Sequence, residues 1–359
     1  MSMRTILIVG LALNAAQAQH ATVSGKVVLR DNGQPLGYTT ITVLSQGRQL
    51  LATDSGTFLL RGLPQGEVRL RFKRIGFVPK DTAFTVATGD SALVRIEMTR
   101  LIISLPTVVV DGSCTDRTPL EAPPVNIAEL FDQVKQNAER MRLLAQEKPF
   151  TIHTTSEEGL RDRDNNIIGA RTVLTDSRPP MPTHPYAPGK VIRQGLHNGR
   201  PAQLIKLPEL PDLADTAFTN NHCLSYAGQE RFESDSVIRV DFEPVPKLAG
   251  EVDIAGRIYL RADDYQIVGL VTWLTRIPAG NRVLRDYAVR ARFRELVSGI
   301  PVVAEWTLTN TFHGNRPPFV QAGKVTGITW QTGGGGGKAK AKRRDRDHGV
   351  RARSIVPTG

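Results

Sequence analysis

Cysteine is scarce in this chain, with only Cys114 and Cys223 among 359 residues. They form no C-x-x-C pair, which excludes a dithiol redox centre. The chain has seven histidines, His20, His153, His184, His197, His222, His313 and His348. None lies in H-E-x-x-H or has a Glu three residues on, so the zinc-peptidase ligand pattern is absent. His222-Cys223 supplies only two ligand types, too few for a metal site. There is no G-x-S-x-G nucleophile elbow. The glycine tract ends in Gly337-Lys338-Ala339, with Thr332 at the first P-loop glycine and Ala339 where Mg²⁺ needs a hydroxyl. Asp162, Asp164 and Asn166 open like a calcium loop, yet Ile167 replaces the turn glycine and Val173 the closing glutamate. No cofactor, metal or catalytic residue is therefore assigned, and the expectation is a protein without catalysis of its own.

Long apolar runs are also missing. The longest near the start, Ile6 to Leu13, falls far short of the ~20 residues that span a bilayer. Preceded by Arg4 and followed by the small residues of Ala16-Gln17-Ala18, it reads as an export signal over residues 1–18. Gln19 stands where a lipoprotein would carry cysteine. The mature chain is then expected in the periplasm, on the outer membrane or outside the cell, and not as a transmembrane protein. In such an oxidising compartment Cys114 and Cys223 are expected to pair. The 109-residue loop so closed is worth roughly 4–5 kcal/mol in the chain-entropy model.

What is plentiful is glycine (32) and proline (23), beside 40% apolar and 23% charged residues. That balance describes a mainly β protein of many short strands with a sizeable core. The net charge of +11 is uneven. The stretch Lys338–Arg353 holds eight Lys/Arg against Asp345 and Asp347, so the folded part is only mildly basic. Nucleic acid is accordingly a poor candidate partner. Residues 331–359 read as a disordered Gly-rich basic tail that can contact anionic surfaces.

Residues 22–100 alternate with period two. Val23, Gly25, Val27 and Leu29 share a face; Val68, Leu70 and Phe72 alternate with Arg69, Arg71 and Lys73. Turn chemistry separates these runs at Gly33-Gln34-Pro35, Asp54-Ser55-Gly56, Gly62-Leu63-Pro64-Gln65-Gly66 and Arg74-Ile75-Gly76. The pattern predicts a small antiparallel sandwich, with Gly25, Gly33, Pro35, Asp54, Gly56, Gly62, Pro64, Gly66 and Gly76 as structural turn positions. The Asp54 carboxylate is a turn acceptor before it is a metal ligand. With Val23-Ser24-Gly25-Lys26-Val27 and Thr53-Asp54-Ser55-Gly56-Thr57-Phe58, these fragments resemble, in order, carboxypeptidase-regulatory-like domains. The resemblance implies a seven-strand, transthyretin-like β-sandwich, a module often placed at the N-terminus of exported bacterial proteins, outer-membrane transporters included.

Leu101 to Val110 is either a last strand or a connection, and residues 101–125 read as a linker with Pro119, Pro123 and Pro124. A helix follows, capped at Asn126 with Glu129 and stapled by Val125 and Leu130. Ile127, Leu130, Phe131, Val134, Ala138 and Met141 form its apolar stripe, and Glu129, Asp132, Lys135, Glu139 and Arg142 the other face. Mixed charge argues for a packed helix, not a membrane-surface one. Strands then fill the rest of a unit over 126–330, clearest at Val237–Phe242, Gly256–Leu260, Ile267–Leu274, Tyr287–Leu296 and Val302–Phe312. In Tyr287–Leu296 one face is apolar and the other strongly basic through Arg290, Arg292 and Arg294. The stretch Gly256–Val268 resembles the strand–Asp turn–strand repeat of LolA-like periplasmic half-barrels, which implies an open sheet wrapped around helices; a generic antiparallel sheet reads the same residues equally well.

The functional expectation is an exported, non-catalytic binding or adaptor protein of the cell envelope, its ligand a lipid, a glycan or a protein. An apolar cavity behind the second sheet would favour a lipid carrier. The alternatives are a hydrolase assembled from carboxylates such as Glu157, Glu158, Asp263 and Asp264, and an accessory module docking on an outer-membrane transporter.

Overall fold

The structure, a computed structural model, describes residues 21–87, 91–105, 125–178, 186–197, 200–205, 210–331 and 354–356. The expected signal sequence, Cys114 and most of the basic tail lie outside the described residues.

The first unit runs through β1 (Ala21–Leu29), β2 (Thr40–Val43), β3 (Arg48–Leu51), β4 (Thr57–Leu63), β5 (Gly66–Lys73), β6 (Lys80–Val86) and β7 (Ser91–Met98). These seven strands make two sheets, in the orders β4-β1-β7 and β3-β2-β5-β6. Alternation decides the packing: Val68, Leu70 and Phe72 are buried between the sheets while Arg69 and Arg71 face water. Phe58 meets Phe72 across the core with ring centroids 5.6 Å apart.

Two expectations are corrected here. The sandwich is not wholly antiparallel, because β1 and β7 pair in parallel from Thr22–Ser91 to Leu29–Met98. The chain between them passes through the other sheet, ample length for the crossover that a parallel pair requires. Gly25 is not a turn residue either; it lies inside β1, where a Cβ would come within 2.3 Å of the Val94 carbonyl oxygen. By contrast Gly33, Gly56, Gly62, Gly66 and Gly76 all adopt positive φ.

The helix α1 (Val125–Glu147) follows and is buried on two sides. Leu130, Val134, Ala138, Met141 and Leu144 join the core beneath the second sheet. Its polar stripe meets the sandwich: Asp132 pairs with Lys73 at 2.9 Å, Gln133 Oε1 accepts from Gly76 N, and Glu147 Oε1 accepts from Leu51 N. Asn137 bonds the second sheet instead, donating to Tyr265 O and accepting from Ile267 N. The helix thus holds the two units in one body.

The second unit comprises β8 (Phe150–Arg161), β9 (Ile167–Ser177), β10 (Ile192–His197), β11 (Arg200–Ile205), α2 (Thr216–Thr219), β12 (His222–Phe232), β13 (Asp235–Pro244), β14 (Ile254–Arg261), β15 (Ile267–Leu274), β16 (Leu284–Val297), β17 (Ile300–Phe312) and β18 (Phe319–Trp330). Nine of these form one antiparallel sheet, ordered β12-β13-β14-β15-β16-β17-β18-β8-β9, open between β12 and β9. Ile238, Val240, Phe242, Ile258, Leu270, Tyr287 and Phe293 project from one face into the core.

The other face is less basic than β16 alone suggests. Register places Arg292 beside Glu305, and Glu233 reaches both Arg290 and Arg292 at 3.6 and 3.2 Å. Arg239 is held by Asp241 and Glu230 at 2.8 and 3.1 Å. Acidic side chains of the β12–β13 turn and of β17 thus face Arg290 and Arg292. β10 and β11 form a separate ribbon with β19 (Ser354–Val356), so three residues of the expected disordered tail are in a strand.

Candidate functional site

A depression on the second unit opens on the outward face of the sheet. It is open, has a volume of about 270 Å³ and is lined by Glu243, Pro244, Leu248, Ala255, Trp273 and Arg276, with Ala249 and Thr275 completing the wall. Trp273 projects outward from β15 directly opposite Ala255 on β14, and the small alanine leaves the space that the indole borders. A short 3-10 turn, Pro246–Leu248, closes one end. Arg257 lies over the indole, 5.5 Å from its centroid. Arg276 is anchored by donating to Gly250 O at 3.0 Å. An aromatic plate on a rigid strand, rimmed by a guanidinium, a carboxylate and a hydroxyl, suits a ligand with both apolar faces and many hydroxyls.

Thr275 connects this depression to a sealed network behind it. Its hydroxyl accepts from Asp253 N at 3.1 Å and donates to Asp253 O at 3.2 Å. The Asp253 carboxylate, fully buried, accepts from Ile254 N at 2.8 Å and from the Tyr186 hydroxyl at 2.8 Å. Burial and this carboxylate push the Tyr186 phenol well above its ordinary pKa. His222 lies 3.9 Å from Asp253, stacked on Phe218 at 4.0 Å. Its Nδ1 faces Phe218 O at 3.0 Å and its Nε2 faces Ile254 O at 2.9 Å. Burial holds the imidazole below its ordinary pKa, opposed by those carbonyls and by Asp253. With both ring nitrogens turned to main-chain carbonyls and no exposed side-chain surface, the trio braces the fold.

Residues weighed from sequence fall elsewhere. His222 and Cys223 are consecutive on β12 and so point to opposite faces of the sheet, which prevents them from sharing a ligand. Asp162 is the turn acceptor of the β8–β9 hairpin, taking Asn166 N at 2.8 Å. Asp54 Oδ1 accepts from Ser55 N at 2.8 Å. Asp264 is raised in pKa by burial and accepts from Arg261 Nη1 at 3.1 Å and from the Gln266 side chain at 3.0 Å. Glu157 and Glu158 lie on β8, four strand spacings from β15, roughly 19 Å. The structure does not bring these carboxylates together. Trp273 and the Tyr186–Asp253–His222 network escaped the sequence reading, since only register sets Trp273 against Ala255.

Among solved structures, a putative outer-membrane lipoprotein-sorting protein domain from Vibrio parahaemolyticus is similar at 12% identity, covering 57% of this chain and 92% of that one, with a TM-score of 0.33. A LolA superfamily protein from Nitrosomonas europaea is similar at 8% identity, covering 56% and 93%, with a TM-score of 0.30. A DUF1329 family protein from Desulfovibrio piger is similar at 11% identity, covering 56% and 94%, with a TM-score of 0.28. These likenesses are weak, and function rests on the geometry above. No curated protein matches the chain. The first unit is different: residues 22–99 match the family model of the carboxypeptidase regulatory-like domain.

Proposed function

We propose that this chain is an exported binding protein of the cell envelope, without catalysis of its own, that takes a glycan in the depression at Trp273. The observation that carries the reading is the half-buried indole in an open, polar-rimmed depression of about 270 Å³. A sugar ring offers an apolar face to the indole and hydroxyls to Arg276, Glu243 and Thr275. Export is supported by the Arg4, Ile6–Leu13 and Ala16-Gln17-Ala18 pattern. A ligand on the outward face also accords with the packing, because α1 fills the inward face with Leu130, Val134 and Leu144. In this reading the sandwich over 22–100 is a rigid mount, and 126–330 is the binding unit.

The test is native mass spectrometry with glycan and lipid extraction on protein taken from its own envelope, followed by titration of the recovered glycan against protein and Trp273→Ala. The expected result is a co-purifying glycan whose binding quenches indole fluorescence and is lost in Trp273→Ala. A co-purifying lipid instead, or a glycan that binds Trp273→Ala equally well, overturns the reading.

A further inference from the structure

The two outward faces of the sandwich differ in their charge pairing. On β5 and β6 the arginines are closed by neighbours: Arg69 meets Glu67 at 2.8 Å and Arg71 meets Asp81 at 2.7 Å. The outward positions of β4, β1 and β7 have no such balance. They carry Lys26, Arg61 and Arg95 against the single carboxylate of Glu97, which lies 3.3 Å from Arg95. Among the described residues, no carboxylate pairs with Lys26 or Arg61.

The same face exposes apolar side chains. Ser24 pairs with Leu59 on one side and Leu93 on the other, so the two leucines stand in one row across the sheet. Leu93 is 84% exposed and Leu59 is 45% exposed. The next row is Thr57, Lys26 and Arg95, and Arg61 lies two residues beyond Leu59 on β4. Leucines flanked by cations on one face of a three-stranded sheet combine the two features that hold a protein to an anionic bilayer surface.

We propose that the outward face of β4-β1-β7 docks on an anionic phospholipid membrane, with Leu59 and Leu93 entering the headgroup layer and Lys26, Arg61 and Arg95 meeting the phosphates. The docking is independent of the glycan site, which lies on the other unit.

The test is co-flotation of the protein isolated from its envelope with vesicles of phosphatidylglycerol and phosphatidylcholine in equal parts, or of phosphatidylcholine alone. Five forms are compared: wild type, Leu59→Ser with Leu93→Ser, Lys26→Glu with Arg61→Glu, Trp273→Ala, and a chain lacking residues 338–353. Lys26, Leu59, Arg61 and Leu93 are all exposed, and circular dichroism checks the fold. The expected result is flotation with the anionic vesicles only, weakened about tenfold by either pair of substitutions and unchanged by Trp273→Ala. Pairs that float like wild type, with loss only on removing 338–353, would assign binding to the basic tail and overturn the proposal. Wild type that floats with neither vesicle also overturns it and leaves this face to a protein partner.

Discussion

The guanidinium of Arg140 donates to the carbonyl of Tyr38 through both Nε and Nη2, at 3.1 and 2.8 Å, across the boundary between the helix and the sandwich. Its remaining bonds go to the carbonyls of Gly299 and Ser298 in the β16–β17 turn. One buried side chain therefore joins the sandwich, the helix and the large sheet using carbonyl dipoles in place of a carboxylate. Tyr38 itself is held at φ 55°, an uncommon conformation for a non-glycine residue.

Replacing Arg140 by methionine keeps most of the volume and strands the carbonyls of Tyr38, Ser298 and the buried Gly299. The expected cost is about 3 kcal/mol. Urea unfolding followed by tryptophan fluorescence and by far-ultraviolet dichroism reads it. In the wild type the two curves coincide; in Arg140→Met the midpoint falls and the curves separate, because the tie between the units is lost.

The buried network at Asp253 sets a pH dependence with a definite sign. The folded His222 titrates below its ordinary value, so the unfolded chain binds more protons in the window just below pH 6.5. Its contribution is complete above that pH and is lost as pH falls through the folded value. Asp264 and Glu147 are raised by burial; their contributions are complete below the ordinary carboxylate range and are lost as pH rises through the folded values. Between pH 8 and 5.5 the urea midpoint of the wild type is expected to fall, and His222→Gln to flatten that fall. An unchanged slope would mean that His222 titrates alike in the folded and the unfolded chain. Tyr186→Phe, which takes the hydroxyl donor from the Asp253 carboxylate, is expected to cost about 2 kcal/mol at neutral pH in the same assay.

Gly25 separates what was legible from what was not. The alternation of Val23, Val27 and Leu29 announced β1, but glycine in that row signalled a turn, since its usual role is conformational. Its actual role depends on Val94 and on the Phe58 ring, which a Cβ would approach to 2.3 and 2.8 Å. Residues 33 and 69 positions away in the chain cannot be read from a local window. For the same reason α1 was legible by its apolar stripe, whereas the burial of Gln133, Gln136, Asn137 and Arg140 is set by the two units packed around the helix and has no signature in its own residues. Strands β13 to β17 were plain because period-two alternation is local; the depression at Trp273 was hidden because it is made by register. Gly25→Ala is expected to destabilise the sandwich by about 3 kcal/mol, measured as a lowered thermal midpoint, while Gly47→Ala, with open space around it, costs less.

Cys223 stands opposite Glu243 on the outward side of β12, beside the Trp273 depression. A bridge from Cys114, proposed from the oxidising compartment and the lone pair of cysteines, would fasten the linker after the sandwich to this edge of the sheet. It would then act twice, on stability and on the site. In the chain-entropy model, closing so long a loop contributes roughly 4–5 kcal/mol. Protein from the envelope is expected to weigh two hydrogens less without reductant than with it. Cys114→Ser, Cys223→Ser and the double variant are expected to lose the same stability, because either single change opens the same loop. Single variants that differ from each other, or a wild type whose mass ignores reductant, would show that the two cysteines act separately. In that case the linker is not held at the edge of the depression, and glycan affinity will not respond to reduction.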